Sequence, residues 1–266
     1  MKLYAVKTKK VEKGDDLTEI ILSSLQEQKL TLENNDILAV ASKVFSHAEG
    51  RIVKLSKVKP SEKAEKIACK YSLSPEFAEL ILQESERIYG GVEKAVLTLK
   101  NYMLIPNAGI DNKNAPKGFA VLWPSDPKVS VQKVREKIKQ KTGKNVAVLM
   151  VDSGLIPLRI GTVGLALAVA GFKPVRDTRG IKDLYGKPLI ITRHAVADDL
   201  ACAAHLLIGE AAEQTPIVLI RDAPVDYDDN VYGAQDVMMP FNECLFANVL
   251  HTWKNQKKAR HGKQKV

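Results

Sequence analysis

Val146-Ala147-Val148-Leu149-Met150-Val151-Asp152-Ser153 is an unbroken apolar run that ends on a carboxylate and a hydroxyl. Such a run, with no polar alternation, reads as a strand covered on both faces, and the acid after it falls at a strand end, the usual place for a ligand in sheet proteins. Asp36-Ile37-Leu38-Ala39-Val40-Ala41 and Ile217-Val218-Leu219-Ile220 read the same way. Helix signals lie between them. Asp16 before Leu17, with Glu19 three residues on, is capping-box-like and starts a helix reaching about Leu30. Ser74-Pro75 starts another, with Phe77, Leu80, Ile81 and Ile88 recurring on one face and Gly90-Gly91 ending it. A third helix, from about Ala195 to Glu210, turns Leu200, Ala203, Ala204 and Leu207 toward a core. Strands and helices at such irregular spacing predict an α+β fold with mixed sheets and packed helices, not a regular doubly wound sheet.

A chain of 266 residues, 45% hydrophobic and 27% charged, is long enough for one large domain or two intimately associated lobes and far from disordered composition. No apolar run approaches the roughly 20 residues that span a bilayer. Met1 to Lys7 lacks a leader's apolar region, so a cytoplasmic location is expected. Cys69, Cys202 and Cys244 form no C-x-x-C or metal-finger pattern; Cys69 and Cys202, inside apolar helical segments, read as small core residues. The net charge of +9 raises the question of nucleic acid, but six basic residues and no acid lie between Lys254 and Val266. That tail reads as a solvated terminus, with weak polyanion binding as the other possibility.

Three acids sit where acids are costly unless used. Asp152 emerges at its strand end with Ser153 beside it; capping a turn or the next helix explains it as well. Asp111 closes the run Ile105 to Ile110, where an Asx-turn with Asn112, Lys113 and Asn114 is an equal reading. Glu210 ends a helix whose dipole disfavours a carboxylate, a penalty that a bound cation reverses; an exposed helix end is the alternative. Asp, Glu and Ser oxygens suit a hard ion such as magnesium or manganese. No G-x-x-x-x-G-K-[ST], H-E-x-x-H or G-x-S-x-G motif is present, so an NTP enzyme here needs a different phosphate cradle.

Six ordered blocks then carry a resemblance over about residues 1 to 222. They are Ser46-His47-Ala48-Glu49-Gly50-Arg51; Asn107-Ala108-Gly109-Ile110-Asp111 with Asn114; Pro124-Ser125-Asp126-Pro127; Val151-Asp152-Ser153 with Arg159 and Gly161; Asp177-Thr178-Arg179-Gly180 with Lys182 to Gly186; and Ala197-Asp198-Asp199-Leu200 leading to Gly209-Glu210. In these the chain resembles the coenzyme F-420-0:L-glutamate ligase family. The resemblance implies a γ-glutamyl ligase domain over residues 1 to 225, a C-terminal extension over 226 to 266, and an intertwined homodimer. It implies two divalent ions, magnesium or manganese, one on Asp111 and Asp152 and the other on Ser153 and Glu210. It also implies GTP contacts from Val11, Ser42, Lys43, His47, Asn114, Ile208, Gly209, Glu210, Ala211 and Gln214. Lys43 and Arg159 are candidate anion clamps, each equally a surface ion pair.

The chemistry implied is amide formation between L-glutamate and a cofactor carboxylate, either coenzyme F-420-0 or a folate-type glutamate tail. A carboxylate is a poor electrophile, so it is first phosphorylated to an acyl phosphate that the glutamate amine then displaces. This sequence departs from the family at His47, where lysine is usual, and at Gly154-Leu155-Ile156-Pro157-Leu158, which replaces an aromatic, arginine-bearing stretch and keeps only Arg159 of its basic residues. No counterpart is recognised for the segment from about Asp226. A non-catalytic relative that binds nucleotide or polyanions is the alternative, motivated by the basic tail.

Overall fold

The computed structural model describes residues 1–247. In chain order the elements are β1 (Lys2–Val6), α1 (Leu17–Glu27), β2 (Ile37–Ala41), α2 (Ser42–Ala48), β3 (Ile52–Lys54), α3 (Glu62–Tyr71), α4 (Pro75–Glu84), β4 (Arg87–Val92), β5 (Ala95–Lys100), β6 (Met103–Pro106) and β7 (Phe119–Val121). They continue with α5 (Pro127–Thr142), β8 (Ala147–Leu155), β9 (Thr162–Phe172), β10 (Arg176–Asp177), β11 (Arg193–His194), α6 (Val196–Ile208), β12 (Ile217–Arg221) and β13 (Tyr227–Gly233).

Six strands form the main sheet in the order β1-β12-β2-β8-β9-β13. Only β2 and β8 run parallel; every other neighbouring pair is antiparallel. The three apolar runs are its central strands, and they lack alternation because both faces are covered. On one face Leu38, Val40, Val148, Met150 and Leu219 pack with Ile21 and Leu25 of α1 and Val131, Val134 and Ile138 of α5. On the other, Ile37, Ala39, Leu149, Val151 and Val218 meet Leu200, Ala201 and Ala204 of α6. Separate small sheets, β3-β7 and β4-β5-β6, are built from the long excursion between β2 and β8 and share a core of Leu80, Ile81, Val96, Ile110 and Leu122. The mixed sheets and packed helices are those of an α+β protein.

Helix starts follow the caps. Asp16 accepts a hydrogen bond from Thr18 N, and Ser74 accepts one from Phe77 N ahead of Pro75. Helix ends differ from expectation. Lys29 is left-handed at φ 57°, so α1 stops at Glu27 instead of reaching Leu30. α4 ends at Glu84, because Ser85 is extended and Ile88 and Gly90-Gly91 belong to β4, paired with β5. Gly91 is there for close approach: a Cβ would stand 2.4 Å from the Ala95 carbonyl oxygen. α6 ends at Ile208, with Gly209 at φ 75°, so Glu210 lies beyond the helix. Cys69 and Cys202 are exposed, not core residues: each follows a buried alanine, Ala68 or Ala201, and the next helical position rotates off the apolar stripe.

Met1–Asp236 is one compact unit, extending past residue 225 because β13 is the edge strand of the main sheet. The described residues from Val237 to Ala247 belong to a second unit, in which Glu243 N and Cys244 N both donate to the Pro240 carbonyl. The basic run Lys254 to Lys265 and the end of the Phe241 to Leu250 stretch lie outside the described residues. No helix among the described residues is long and apolar enough to cross a membrane.

β9 and α6 approach closely enough that a Cβ at Gly164 would lie 2.2 Å from the Ala201 carbonyl oxygen. Gly164→Ala is therefore expected to destabilise the fold by about 1–3 kcal/mol, the usual cost of overpacking. Urea denaturation checks it, and a variant as stable as the parent contradicts this close approach.

Candidate active site

β2 and β8 run side by side with Ala41 opposite Val151, and then their paths separate. β2 becomes α2 at Ser42, whereas β8 continues through Asp152 and Ser153 in pairing with β9. The split opens a crevice at the carboxyl end of β2, where the parallel pairing stops, so Asp152 lies inside β8 and not at the strand end expected from the sequence; open sheets containing parallel strands hold ligands at such a point. Three other segments arrive at the same end. Thr8 N donates to Gln214 O just beyond β1, Ala41 N donates to Pro216 O just before β12, and Thr215 Oγ1 donates to the Leu207 carbonyl at the end of α6. Together they enclose a cavity of about 510 Å³.

Most residues singled out from the sequence line it. Val11 comes from the segment after β1, Ser42, Lys43 and His47 from α2, and Asn114 from the loop after Asp111. Asp152 and Ser153 come from β8, and Ile208, Gly209, Glu210, Ala211 and Gln214 from the end of α6 and the loop before β12. The two loops meet: Asn114 Nδ2 donates to the Ala211 carbonyl at 3.1 Å. Asp111 is not in the lining but touches a residue that is, since Lys43 Nζ stands 2.6 Å from its Oδ2. Its other oxygen accepts from Lys113 N at 2.9 Å, so the Asx-turn is present alongside the ion pair. Arg159 lies apart from the cavity, exposed in the turn between β8 and β9.

The charges are arranged in opposition. Adjacent residues at the start of α2 serve different acids: Ser42 Oγ donates to Asp152 Oδ1 at 2.9 Å, and Lys43 pairs with Asp111. Burial pushes the Asp152 carboxyl above the usual range, outweighing the hydrogen bonds from Trp123 and Ser42 and the nearby Lys43 charge. At Asp111 burial also acts upward, but the Lys43 ammonium and the Lys113 N–H overcome it and hold the carboxyl low. Glu210 follows the same pattern: burial is outweighed by Thr162 Oγ1, 2.6 Å from Oε1, and by His205 Nε2 at 2.9 Å, and its carboxyl is lowered. His47 is lowered by burial first, with Lys10 and Lys43 adding to the effect against a hydrogen bond to the Asn114 backbone.

The three acids do not form one cluster: among the described residues no group of three or more His, Cys, Asp or Glu could hold a metal ion. Asp152, Ser153 and Glu210 share the cavity wall, and Asp111 stands behind Lys43. Sequence reasoning missed Lys9 and Lys10, cations on the rim; two adjacent lysines beside Val11 were the available signal. It also missed His205, in the last turn of α6, whose contact with Glu210 depends on the chain turning at Gly209 and so has no helical spacing behind it. Trp123, the partner of Asp152, carried no signal.

The F420-0:Gamma-glutamyl ligase family profile matches residues 5–222. Among curated proteins, the Coenzyme F420:L-glutamate ligase of Methanothermobacter thermautotrophicus is 39% identical over 228 residues, 85% of this chain and 90% of that protein. The protein of the same name from Archaeoglobus fulgidus is 39% identical over 79% of this chain and 83% of its own length. The one from Methanosarcina mazei is 34% identical over 260 residues, 97% of this chain and all of its own length, so the segment from about Asp226 does have a counterpart. A profile over most of the chain and relatives at this identity and coverage establish that the chain belongs to the F420-0:Gamma-glutamyl ligase family.

Proposed function

We propose that this protein is an NTP- and divalent-metal-dependent γ-glutamyl ligase that joins L-glutamate to a carboxylate of coenzyme F-420-0. The observation that carries this reading is the single cavity shared by Lys9, Lys10 and Lys43 with Asp152, Ser153 and Glu210, in a chain whose relatives are named for F420:L-glutamate ligation. The lysines supply the charge that a triphosphate needs, and the oxygen donors suit a hard cation. The cavity is of a size that encloses a small ligand.

Magnesium or manganese fits this donor set. Magnesium is ordinarily held by one or two carboxylates, with phosphate oxygens and water completing its shell, so three converging protein acids are not required. Asp152 meets the condition on the protein side, since its burial disfavours an uncompensated negative charge. Asp152 would hold one ion, joined by Asp111 once that carboxylate exchanges Lys43, and Ser153 and Glu210 would hold a second. When bound, such ions neutralise the charge that develops on the transferring phosphoryl oxygens. GTP is the nucleotide that the family resemblance implies.

The protein's part in the reaction is mostly positional. Lys43, pinned at 2.6 Å to Asp111, presents a fixed cation to the cavity, and Lys9 and Lys10 extend that field at the rim. An acceptor carboxylate oxygen attacks the γ-phosphorus, the bond to the bridging oxygen breaks, and nucleoside diphosphate leaves. The glutamate amine then attacks the acyl carbon, the C–N bond forms, phosphate departs with the former carboxylate oxygen, and the ammonium loses its proton. Acceptor carboxylate labelled with ¹⁸O should therefore pass one labelled oxygen into the released phosphate, read by mass spectrometry together with the amide product. Unlabelled phosphate, or an acceptor panel in which only folate-type tails are extended, contradicts the proposal. Asp152→Asn should lower kcat on the order of 100-fold, the scale set by losing a charge-stabilising group in the transition state; full activity counts against the assignment.

The same reading includes a homodimer. Leu158 and Ile160 are fully exposed at the turn between β8 and β9, and Ile181, Leu184, Tyr185, Ile190 and Ile191 are exposed between β10 and β11. Concentrations of large apolar side chains like these are characteristic of association surfaces, and a second copy of the chain is the partner we assign. Arg159 belongs to that same turn. Light scattering should report a dimer for the parent and a monomer for the Leu158→Asp, Ile160→Asp double variant; an unchanged mass in the variant excludes this surface.

A further inference from the structure

Arg51 closes one of the sequence blocks yet has no place in the cavity, and three other groups, of which Lys100 and Trp123 are buried, stand with it behind Asp152. Arg51 donates through Nη2 to Glu84 Oε1 at 2.8 Å, and Lys100 Nζ reaches Glu84 Oε2 at 2.6 Å. Both cations also engage Trp123. Arg51 Nε donates to its backbone carbonyl at 3.0 Å, and Lys100 Nζ lies 5.3 Å from its ring centroid. Lys100 is 6% exposed and Trp123 4%. Gly109 also packs on the indole, where a Cβ would stand 2.4 Å from Nε1. So clamped, the indole N–H donates to Asp152 Oδ2 at 2.5 Å.

A carboxylate oxygen has two lone-pair directions. In Asp152, Ser42 occupies one direction on Oδ1 and Trp123 one on Oδ2. The Ser153 backbone N–H is a third donor, so one direction is left over, and Asp152 borders the cavity. Lys100, the more buried of the two cations, also interacts electrostatically with Asp152.

We infer that Trp123 is a positioning residue: its indole N–H, held by Arg51, Glu84, Lys100 and Gly109, fixes the Asp152 carboxylate in the orientation that accepts a divalent cation. This rests on the reading of Asp152 as a cation holder. Outer-sphere hydrogen bonds to a ligating carboxylate set ligand orientation, and their loss typically costs 10–100-fold in metal affinity or activity.

The experiment is titration of Mn²⁺ into the full chain with GTP present, the free ion followed by electron paramagnetic resonance. Trp123→Phe keeps a ring against Gly109 and Lys100 but removes the N–H, and should weaken Mn²⁺ binding about 10–100-fold. Trp123→His, which restores a ring N–H, should recover part of that loss. A purely structural role would instead lower the melting temperature of both variants and leave the Mn²⁺ dissociation constant unchanged, which overturns the inference. A second readout needs no change at Trp123. The sequence holds two tryptophans, so in Trp253→Phe the emission reports Trp123 alone, and Mg²⁺ with GTP should shift it; constant emission at saturating Mg²⁺ also overturns the inference. If the parent chain binds no Mn²⁺ with GTP, the reading of the site fails and this inference fails with it. Equal affinity in the parent and both variants sinks only the inference.

Discussion

The site depends on the point where two parallel strands part. β2 and β8 are in register up to Ala41 and Val151, and the next residue of each, Ser42 and Asp152, is joined by a 2.9 Å hydrogen bond. Past that bond one chain coils into α2 and the other stays extended against β9. A gap must open there, because the backbone groups of α2 bond along their own axis and no longer to β8. The flanking strands deliver their own ends to the gap: β12 begins there and β1 finishes there, since both run antiparallel to their neighbours. Residues as far apart in sequence as Thr8 and Pro216 are thereby brought to one edge.

The same geometry explains how so much charge is tolerated. Each acid near the cavity has dedicated donors: Lys43 for Asp111, Ser42 and Trp123 for Asp152, Thr162 and His205 for Glu210, and the Ala211 N–H for Glu213. Behind them the Arg51, Glu84 and Lys100 cluster is itself paired, and among the described residues no buried side-chain nitrogen or oxygen lacks a partner. Paired buried charges contribute little net stability, because desolvation offsets most of the attraction. Their value here is orientation.

What was legible in the sequence followed from burial. Strands covered on both faces leave continuous apolar runs, so β2, β8 and β12 stood out, and Asp152 stood out because a carboxylate interrupts one of them. Ser74-Pro75 and Asp16 were legible because caps are local chemistry. The end of α4 was not: Ile88 falls at helical spacing from Ile81, and the pairing that makes it a strand is with Thr98, across a turn. The cysteines misled for a related reason, since apolar neighbours do not fix which face of a helix one residue takes. Trp123 was invisible because its contact with Asp152 spans 29 positions and no pattern of residue types encodes it. Arg159 was carried by its place in a motif, and placement in a motif does not determine which way an exposed turn faces.

The central claim is that one end of the main sheet is a cation and triphosphate site built around Asp152. Anomalous diffraction from crystals grown with Mn²⁺ and a non-hydrolysable GTP analogue tests it most directly. The account predicts a manganese peak inside the cavity within about 2.0–2.6 Å of an Asp152 oxygen, the range of hard-cation contacts to oxygen, with the γ-phosphate on the same ion. A bound nucleotide whose manganese lies elsewhere, with Asp152 still held by Ser42 and Trp123, would contradict it.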